Sequence, residues 1–373
     1  MSAGWLLPLI HVYIGWRIAP HLPGLAATSA FVALLMASAL LIPMAFFGRR
    51  MPERAAADRW TWIGMLALGQ FSMLLVLTLL RDLLLLLLFA TPFSVPAIAE
   101  ASAAAVPLLA LAATLVGLIE ARRTASVRDV DVPIAGLPTA LQGFTIVQIS
   151  DLHVGPTVKA PYVRAIVDRV NRLGADAIAI TGDLVDGRVQ DLAADVAPLA
   201  SLRSRHGTYF VTGNHEYYSG APEWIAQLRT IGLRVLLDEH VVIEHEGSRL
   251  VLAGVADFNA RHFVSSHRSD PRAAIAGAPG DAGLRVLLAH QPRSASAAAE
   301  AGFDVQLSGH THGGQFWPWN LLVKLQQPFV AGLERLGSLW VYTSRGTGYW
   351  GPPLRLGAPS EITRLRFVAS RGP

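Results

Sequence analysis

Five times along this chain an apolar run ends in residue types that bind metal ions, and that repetition limits the possible folds more than any other feature. Run 144–149 leads into Asp151-Leu152-His153, run 176–180 into Gly182-Asp183-Leu184-Val185-Asp186, and run 208–211 into Gly213-Asn214-His215-Glu216. Run 284–289 leads into His290, and run 305–307 into Gly309-His310-Thr311-His312. Apolar runs this short read as buried strands, so the pattern predicts several strand ends facing one cleft. Gly182 sets a turn from which Asp183 projects. Its two carboxylate oxygens let one side chain touch two metal ions, a bridge that a His cannot make. A single Gly-Asp turn is a weak signal. Five such blocks in order are a strong one.

Those blocks occupy only the later part of the chain, and composition explains the rest. Of 373 residues, 52% are hydrophobic and 16% charged, against a usual charged share of about 25%. The apolar excess lies in the first third, and so does most of the net positive charge: residues 1–125 carry 8 basic and 5 acidic side chains, +3 of the chain's +4. The basic balance therefore reflects membrane-flanking arginine, and no nucleic-acid binding is expected. With no cysteine there is no disulfide framework, thiolate metal site or Cys nucleophile.

The first third predicts about four transmembrane spans, with three as the alternative. Segment 5–18 is a weak first span, short and interrupted by His11 and Arg17. It lacks the basic start and the cleavage site of a signal peptide. Segment 25–47 carries no charge and exceeds the roughly 20 residues needed to cross the hydrocarbon core. Segment 60–89 contains Arg81-Asp82, read as marking the membrane boundary, and 101–119 ends before Arg122-Arg123. Arg49, Arg50, Arg54 and Arg59 follow the second span, and Arg122, Arg123 and Arg128 follow the fourth. The opposite loops hold only Arg17. The positive-inside rule then predicts a multi-pass protein of the cell (inner) membrane with both termini in the cytoplasm. With three spans the N-terminus would change sides and the C-terminal part would not. The expected division is a helical transmembrane region, 1–125, and a second domain, 126–373. In the latter, strand-like runs alternate with helical stretches 161–173, 192–203, 222–231 and 293–301, an α/β pattern. Residues 235–255 read as successive strands and 273–283 as a loop.

The blocks DxH, GDxxD, GNH(D/E), H and GHxH, in that order, make residues 144–368 resemble the calcineurin-like metallophosphoesterase superfamily. The resemblance implies an α/β domain built as a two-sheet β-sandwich flanked by helices, with two divalent metal ions at the strand ends. Carried over by position, one ion takes Asp151, His153, Asp183 and His312. The other takes Asp183, Asn214, His290 and His310. Imidazole, carboxylate and amide ligands without thiolate suit Mn, Fe or Zn. Two such ions clamp the attacking and leaving oxygens of an in-line displacement at phosphorus. His215 matches the family's non-ligand histidine, which contacts the phosphoryl oxygen or protonates the leaving group. Asp186 matches no ligand and is expected to hydrogen-bond one from behind. His206, His240, His245, His262 and His267 are read as structural.

The GHTHGGQ block, with Ser344-Arg345-Gly346-Thr347-Gly348-Tyr349-Trp350-Gly351-Pro352-Pro353, resembles the membrane-associated branch of the superfamily. That branch includes YaeI- and YkuE-type phosphodiesterases and the transmembrane proteins with a metallophosphoesterase domain. It implies a phosphodiesterase or pyrophosphatase, and some of its members act on lipid-linked sugar nucleotides. Trp317 and Trp319, in an apolar segment after the last ligands, read equally as a packing loop over the core or as an apolar lip at the bilayer interface, contacting lipid or a lipid-linked substrate. Arg345 is weighed as a phosphate contact against a salt bridge. The rival reading is a transporter or receptor-like protein whose phosphoesterase domain only binds a ligand. The low polar content of the spans counts against it.

Overall fold

The computed structural model describes residues 5–47, 51, 53–89 and 95–370. The chain divides into two units, Met1–Arg122 with Gly351–Leu356, and Arg123–Trp350 with Gly357–Pro373. The first contains the helices α1 (Leu6–Ile18), α2 (Gly24–Phe47), α3 (Arg54–Leu88) and α4 (Val95–Arg122). Helices α2, α3 and α4, of 24, 35 and 28 residues, are long and apolar enough to cross a membrane. Helix α1 is not. Its 13 residues rise about 20 Å, against roughly 30 Å of hydrocarbon. The expected four spans are thus corrected to three helices of spanning length and one short helix. Arg49, Arg50 and residues 90–94, which helped to set the expected orientation, lie outside the described residues.

Arg81-Asp82, read as marking the membrane boundary, sits in a hydrogen-bonded network near the end of α3. Arg81 is buried, and its guanidinium donates to Ser102 Oγ at 3.0 Å, Arg17 O at 3.1 Å and Ala99 O at 3.0 Å. Asp82 accepts from Arg17 Nε at 2.8 Å and from the Tyr13 hydroxyl at 2.6 Å. A charge removed from water costs several kcal/mol unless it is paired and hydrogen-bonded. Here every partner comes from α1, α3 or α4, so the network fastens the three helices together. Further along α1, His11 Nε2 lies 3.0 Å from Ser38 Oγ and its ring stacks on Phe71. The opposite face of α1 exposes Leu6, Leu9, Val12 and Trp16 at helical spacing.

The second unit contains the strands β1 (Ser126–Ala135), β2 (Thr145–Ile149), β3 (Ala177–Thr181), β4 (Thr208–Val211), β5 (Arg234–Val235), β6 (Glu239–His245), β7 (Ser248–Gly254), β8 (Leu284–Leu288), β9 (Val305–Ser308), β10 (Gly332–Leu336), β11 (Leu339–Thr343) and β12 (Glu361–Ser370). They form two six-stranded mixed sheets, ordered β1-β12-β2-β3-β4-β5 and β10-β11-β9-β8-β7-β6. Ile146, Ala177, Ala179, Tyr209 and Val211 of the first sheet pack in one core with Leu250, Leu252, Val286, Leu288, Val305 and Leu307 of the second. Alternate residues of each strand point into that layer, as the two-residue period of a strand requires.

The five ligand-bearing runs are β2, β3, β4, β8 and β9. The first three are parallel neighbours in one sheet, the last two in the other. Their carboxyl ends therefore open on the same side within each sheet, where α/β folds place their ligands. Helices Ala160–Asn171 and Ala221–Thr230 fall where expected. The predicted loop 273–283 instead begins inside a short helix, Pro271–Ile275. Asp270 caps it by accepting the Arg272 and Ala273 N–H groups.

Candidate metal centre

The chain reverses sharply at the ends of β2, β3 and β9. Asp151, His153, Asp183, His310 and His312 all have φ between 50° and 71°, in the left-handed region. Asp, Asn and His enter that region more readily than other non-glycine residues. The same residue types thus satisfy both the backbone and the ligand chemistry. Such positions cost about 1–3 kcal/mol each and persist only where the surroundings hold them. Two glycines make room for the carboxylates. A Cβ on Gly213 would collide with the Asp183 carboxylate, and one on Gly309 with that of Asp151.

The side chains converge in three groups whose donor atoms lie within 4.8 Å of one another: Asp151, His153 and His312; His153, Asp186 and His215; Asp183, His290 and His310. Asp183 Oδ2 is 3.2 Å from His290 Nε2 and 3.8 Å from His153 Nε2, so it stands between the groups. His153 and His312 face each other through Nε2 atoms 3.1 Å apart, and His312 Nε2 is 3.3 Å from Asp151 Oδ1.

Hydrogen bonds on the far sides of the rings decide what these atoms offer. Thr181 O can only accept, so His290 Nδ1 at 2.8 Å donates to it. Asp186 Oδ1 accepts from His153 Nδ1 at 3.2 Å and His215 Nδ1 at 2.5 Å. In the neutral rings, the Nε2 lone pairs of His290 and His153 then face carboxylate oxygens or another imidazole. Acceptors facing acceptors repel unless a cation lies among them. Asn214 adds a second sign of this: its Oδ1 is buried and has no hydrogen-bond partner. Buried polar oxygens are normally satisfied. The donor set therefore fits metal ions.

Without an ion, a proton supplies the positive charge there: Asp183, against burial, holds His290 well above its ordinary value. Burial would raise the Asp183 carboxyl, but His290 and His215 outweigh it and hold it well below its ordinary value. Asp151 and Asp186 are held down against burial by His312 and by His153 with His215, respectively. Burial and the neighbouring His290 lower His310 to about 4, leaving it a neutral ring. Burial would also lower His215, but Asp183 and Asp186 push it up to about 9.

Glu216, part of the GNHE block with no role expected for it, holds this arrangement together. Its fully buried carboxylate accepts the N–H groups of Gly213 at 2.6 Å, Asp183 at 3.0 Å, Leu184 at 2.7 Å and Val185 at 3.3 Å. One side chain thus joins the loop that presents Asp183 to the loop that presents Asn214. Arg345 packs beside Gly313 and ion-pairs with Glu361 at 3.5 Å, the salt bridge that was weighed for it. Trp317 and Trp319 are half-exposed on the segment following His312, and Leu321, Leu322 and Leu325 are exposed with them. Of the histidines read as structural, His206 and His245 pair with each other at 3.0 Å and His267 bonds the Tyr217 hydroxyl at 2.8 Å.

Replacing Glu216 with Ala strands four backbone N–H groups in a dry interior. Each unsatisfied donor costs about 1–3 kcal/mol, so Glu216→Ala is expected to lower stability by at least about 3 kcal/mol and to weaken metal binding. Thermal unfolding with and without added metal ion checks it. A Tm within a degree of the unsubstituted chain would mean that the two loops do not depend on this carboxylate.

The calcineurin-like phosphoesterase family model matches residues 144–314. A transmembrane protein with metallophosphoesterase domain from Bos taurus is 42% identical over 269 residues, 69% of this chain and 60% of that protein. An uncharacterized metallophosphoesterase of Aquifex aeolicus (strain VF5) is 33% identical over 219 residues, 58% of this chain and 82% of that protein. The uncharacterized metallophosphoesterase YkuE of Bacillus subtilis (strain 168) is 27% identical over 238 residues, covering 61% and 80%. The chain spans 60% and 59% of the length of the Bos taurus protein and its Danio rerio counterpart. With its ordered ligand blocks, its two-sheet α/β domain and its clustered His and Asp donors, the chain belongs to the calcineurin-like metallophosphoesterase family.

Proposed function

We propose that the chain is a membrane-anchored, two-metal phosphohydrolase, a phosphodiesterase or pyrophosphatase, acting on an amphiphilic phosphate. The observation that carries this reading is the position of Asp183, whose one carboxylate faces imidazoles of two separate donor groups. Asp151, His153, Asp183 and His312 would hold one ion, and Asp183, Asn214, His290 and His310 the other. Mn, Fe and Zn all suit this donor set. Two bound divalent ions would supply Lewis-acid stabilisation of the phosphoryl oxygens and make a water more acidic.

The protein's own contribution to bond breaking centres on His215. Asp186 accepts its Nδ1–H, which fixes the ring and leaves Nε2 directed toward Asp183, 4.0 Å from Oδ2. Asp186, which binds no metal in this reading, favours the protonated ring, and the Nε2 proton is the one free to move. His215 gives that proton to the leaving oxygen as the ester bond breaks, general acid catalysis contributing typically about 10²–10⁴-fold. Asp186 also accepts from His153, so it orients a ligand and the acid together. In this reading Arg345 supports the loop beside His312 and takes no part in phosphate binding.

The exposed Trp317, Trp319, Leu321, Leu322 and Leu325 segment supports an acyl-bearing substrate. Burying ~100 Å² of acyl chain there contributes on the order of 2.5 kcal/mol, more than tenfold in binding. A matched pair of phosphodiesters, acylated and deacylated, tests both parts at once. Asp183→Asn and His290→Ala should reduce hydrolysis of both to background. A Trp317→Ala, Trp319→Ala variant should lose only the acyl preference in kcat/KM. Turnover that survives in folded Asp183→Asn contradicts the metal mechanism. An absent acyl preference makes the segment a packing loop.

The three long helices support membrane anchoring. Arg54, Arg59, Arg122, Arg123 and Arg128 flank them on what the positive-inside rule makes the cytoplasmic side. The phosphoesterase domain then faces the cytoplasm, and α1 packs among the long helices from the opposite side. A C-terminal green fluorescent protein fusion should fluoresce. A C-terminal alkaline phosphatase fusion should be inactive, and an active one contradicts this orientation.

A further inference from the structure

Three large rings stand exposed beside His215: Tyr218, Phe263 and Trp350, at 61%, 52% and 53% of their surface. The His215 ring lies edge-to-face with Tyr218, centroids 5.2 Å apart, and with Trp350 at 5.7 Å. Tyr218 continues the row to Phe263 at 5.4 Å. They come from three distant parts of the chain, so their meeting is not a by-product of one local sequence.

Each ring is fixed from behind. Tyr218 sits on the helix Asn214–Ser219, which also carries His215. Phe263 caps the 3-10 turn Ala260–His262 and meets Tyr217, whose hydroxyl bonds His267. Trp350 is held by the Gln315 amide: Oε1 accepts the Trp350 N–H at 2.9 Å and Nε2 donates to its carbonyl at 2.8 Å. Gln315 is buried and takes a left-handed φ of 58°, three residues after His312. The loop carrying a candidate ligand therefore also sets the height of the tryptophan.

This aromatic rim differs chemically from the exposed Leu321, Leu322 and Leu325. A flexible acyl chain needs only apolar area, which leucine supplies. Rigid rings with exposed faces and edges favour a partner that is itself flat and carries a π system. His215, as proton donor, marks the leaving-group side of the phosphate. We propose that Tyr218, Phe263 and Trp350 form a subsite for a planar aromatic ring on the leaving group, with Gln315 as the residue that positions Trp350. The proposal rests on the phosphoesterase reading and adds the chemical class of the group released.

Phenylphosphonate and cyclohexylphosphonate test it, because neither can be hydrolysed and they differ in the flat π ring. Both are used as inhibitors of bis-p-nitrophenyl phosphate hydrolysis by the full-length chain in detergent and manganese-containing buffer. The unsubstituted chain should bind the phenyl compound about tenfold more tightly, the size expected of one ring stack. Tyr218→Leu and Trp350→Leu keep apolar area without that ring, and should bring the ratio within about twofold of one. Trp350→Phe should retain most of it, and Gln315→Leu should lose it without removing a ring. Equal inhibition by the two compounds, or a ratio that survives in all the leucine variants, overturns the subsite. Calorimetric titration of both phosphonates reads the same ratio without turnover. Absent hydrolysis would then contradict the phosphoesterase assignment alone, while the ratio still decides the subsite.

Discussion

Glu216 receives four backbone N–H groups from two loops in a fully buried pocket, and the geometry of the centre depends on that one carboxylate. The loops it joins follow β3 and β4, and the first leaves its strand through a tight reversal. Asp183 takes a left-handed φ of 50° to do so. The backbone donors that this reversal strips from the sheet need an acceptor, and burial excludes water from the task. Once Glu216 takes them, Asp183 faces His290 and His153, and Asn214 presents an unsatisfied oxygen beside it. Strain, satisfied donors and exposed ligand lone pairs are thus linked features of one arrangement.

Behind the rings a second set of acceptors does for orientation what Glu216 does for the loops. Thr181 O and the Asp186 carboxylate take the Nδ1 protons, so the Nε2 atoms turn inward. Asp186 serves a candidate ligand and the candidate acid with the same oxygen. Substituting it therefore disturbs metal affinity and proton transfer together.

Much of this was legible in the sequence because strand ends and ligand types coincide. The runs before Asp151, Asp183, Asn214, His290 and His310 are short and apolar, and each is a strand. What escaped were relations between distant positions. Glu216 belongs to the GNHE block, but its partners at Asp183–Val185 lie on another loop. Gln315 and Trp350 are 35 residues apart, and no local pattern shows that one amide holds the other's backbone. Helix α1 is as apolar as a span but only 13 residues long, so composition alone does not separate it from the three long helices. The partners of Arg81-Asp82, namely Arg17, Ala99 and Ser102, come from other helices, so no local pattern shows that network.

The helical unit and the phosphoesterase unit solve opposite problems of burial. In the first, a few charges are enclosed and must satisfy one another through Arg17, Arg81 and Asp82. In the second, many like donors are forced together and need cations from outside. The central claim is that Asp183 bridges two ions, and metal analysis of the purified chain tests it most directly. Inductively coupled plasma mass spectrometry should find two divalent ions per unsubstituted chain and fewer than one in Asp183→Asn. One ion or none in the unsubstituted chain after metal loading, or two retained in folded Asp183→Asn, would contradict it.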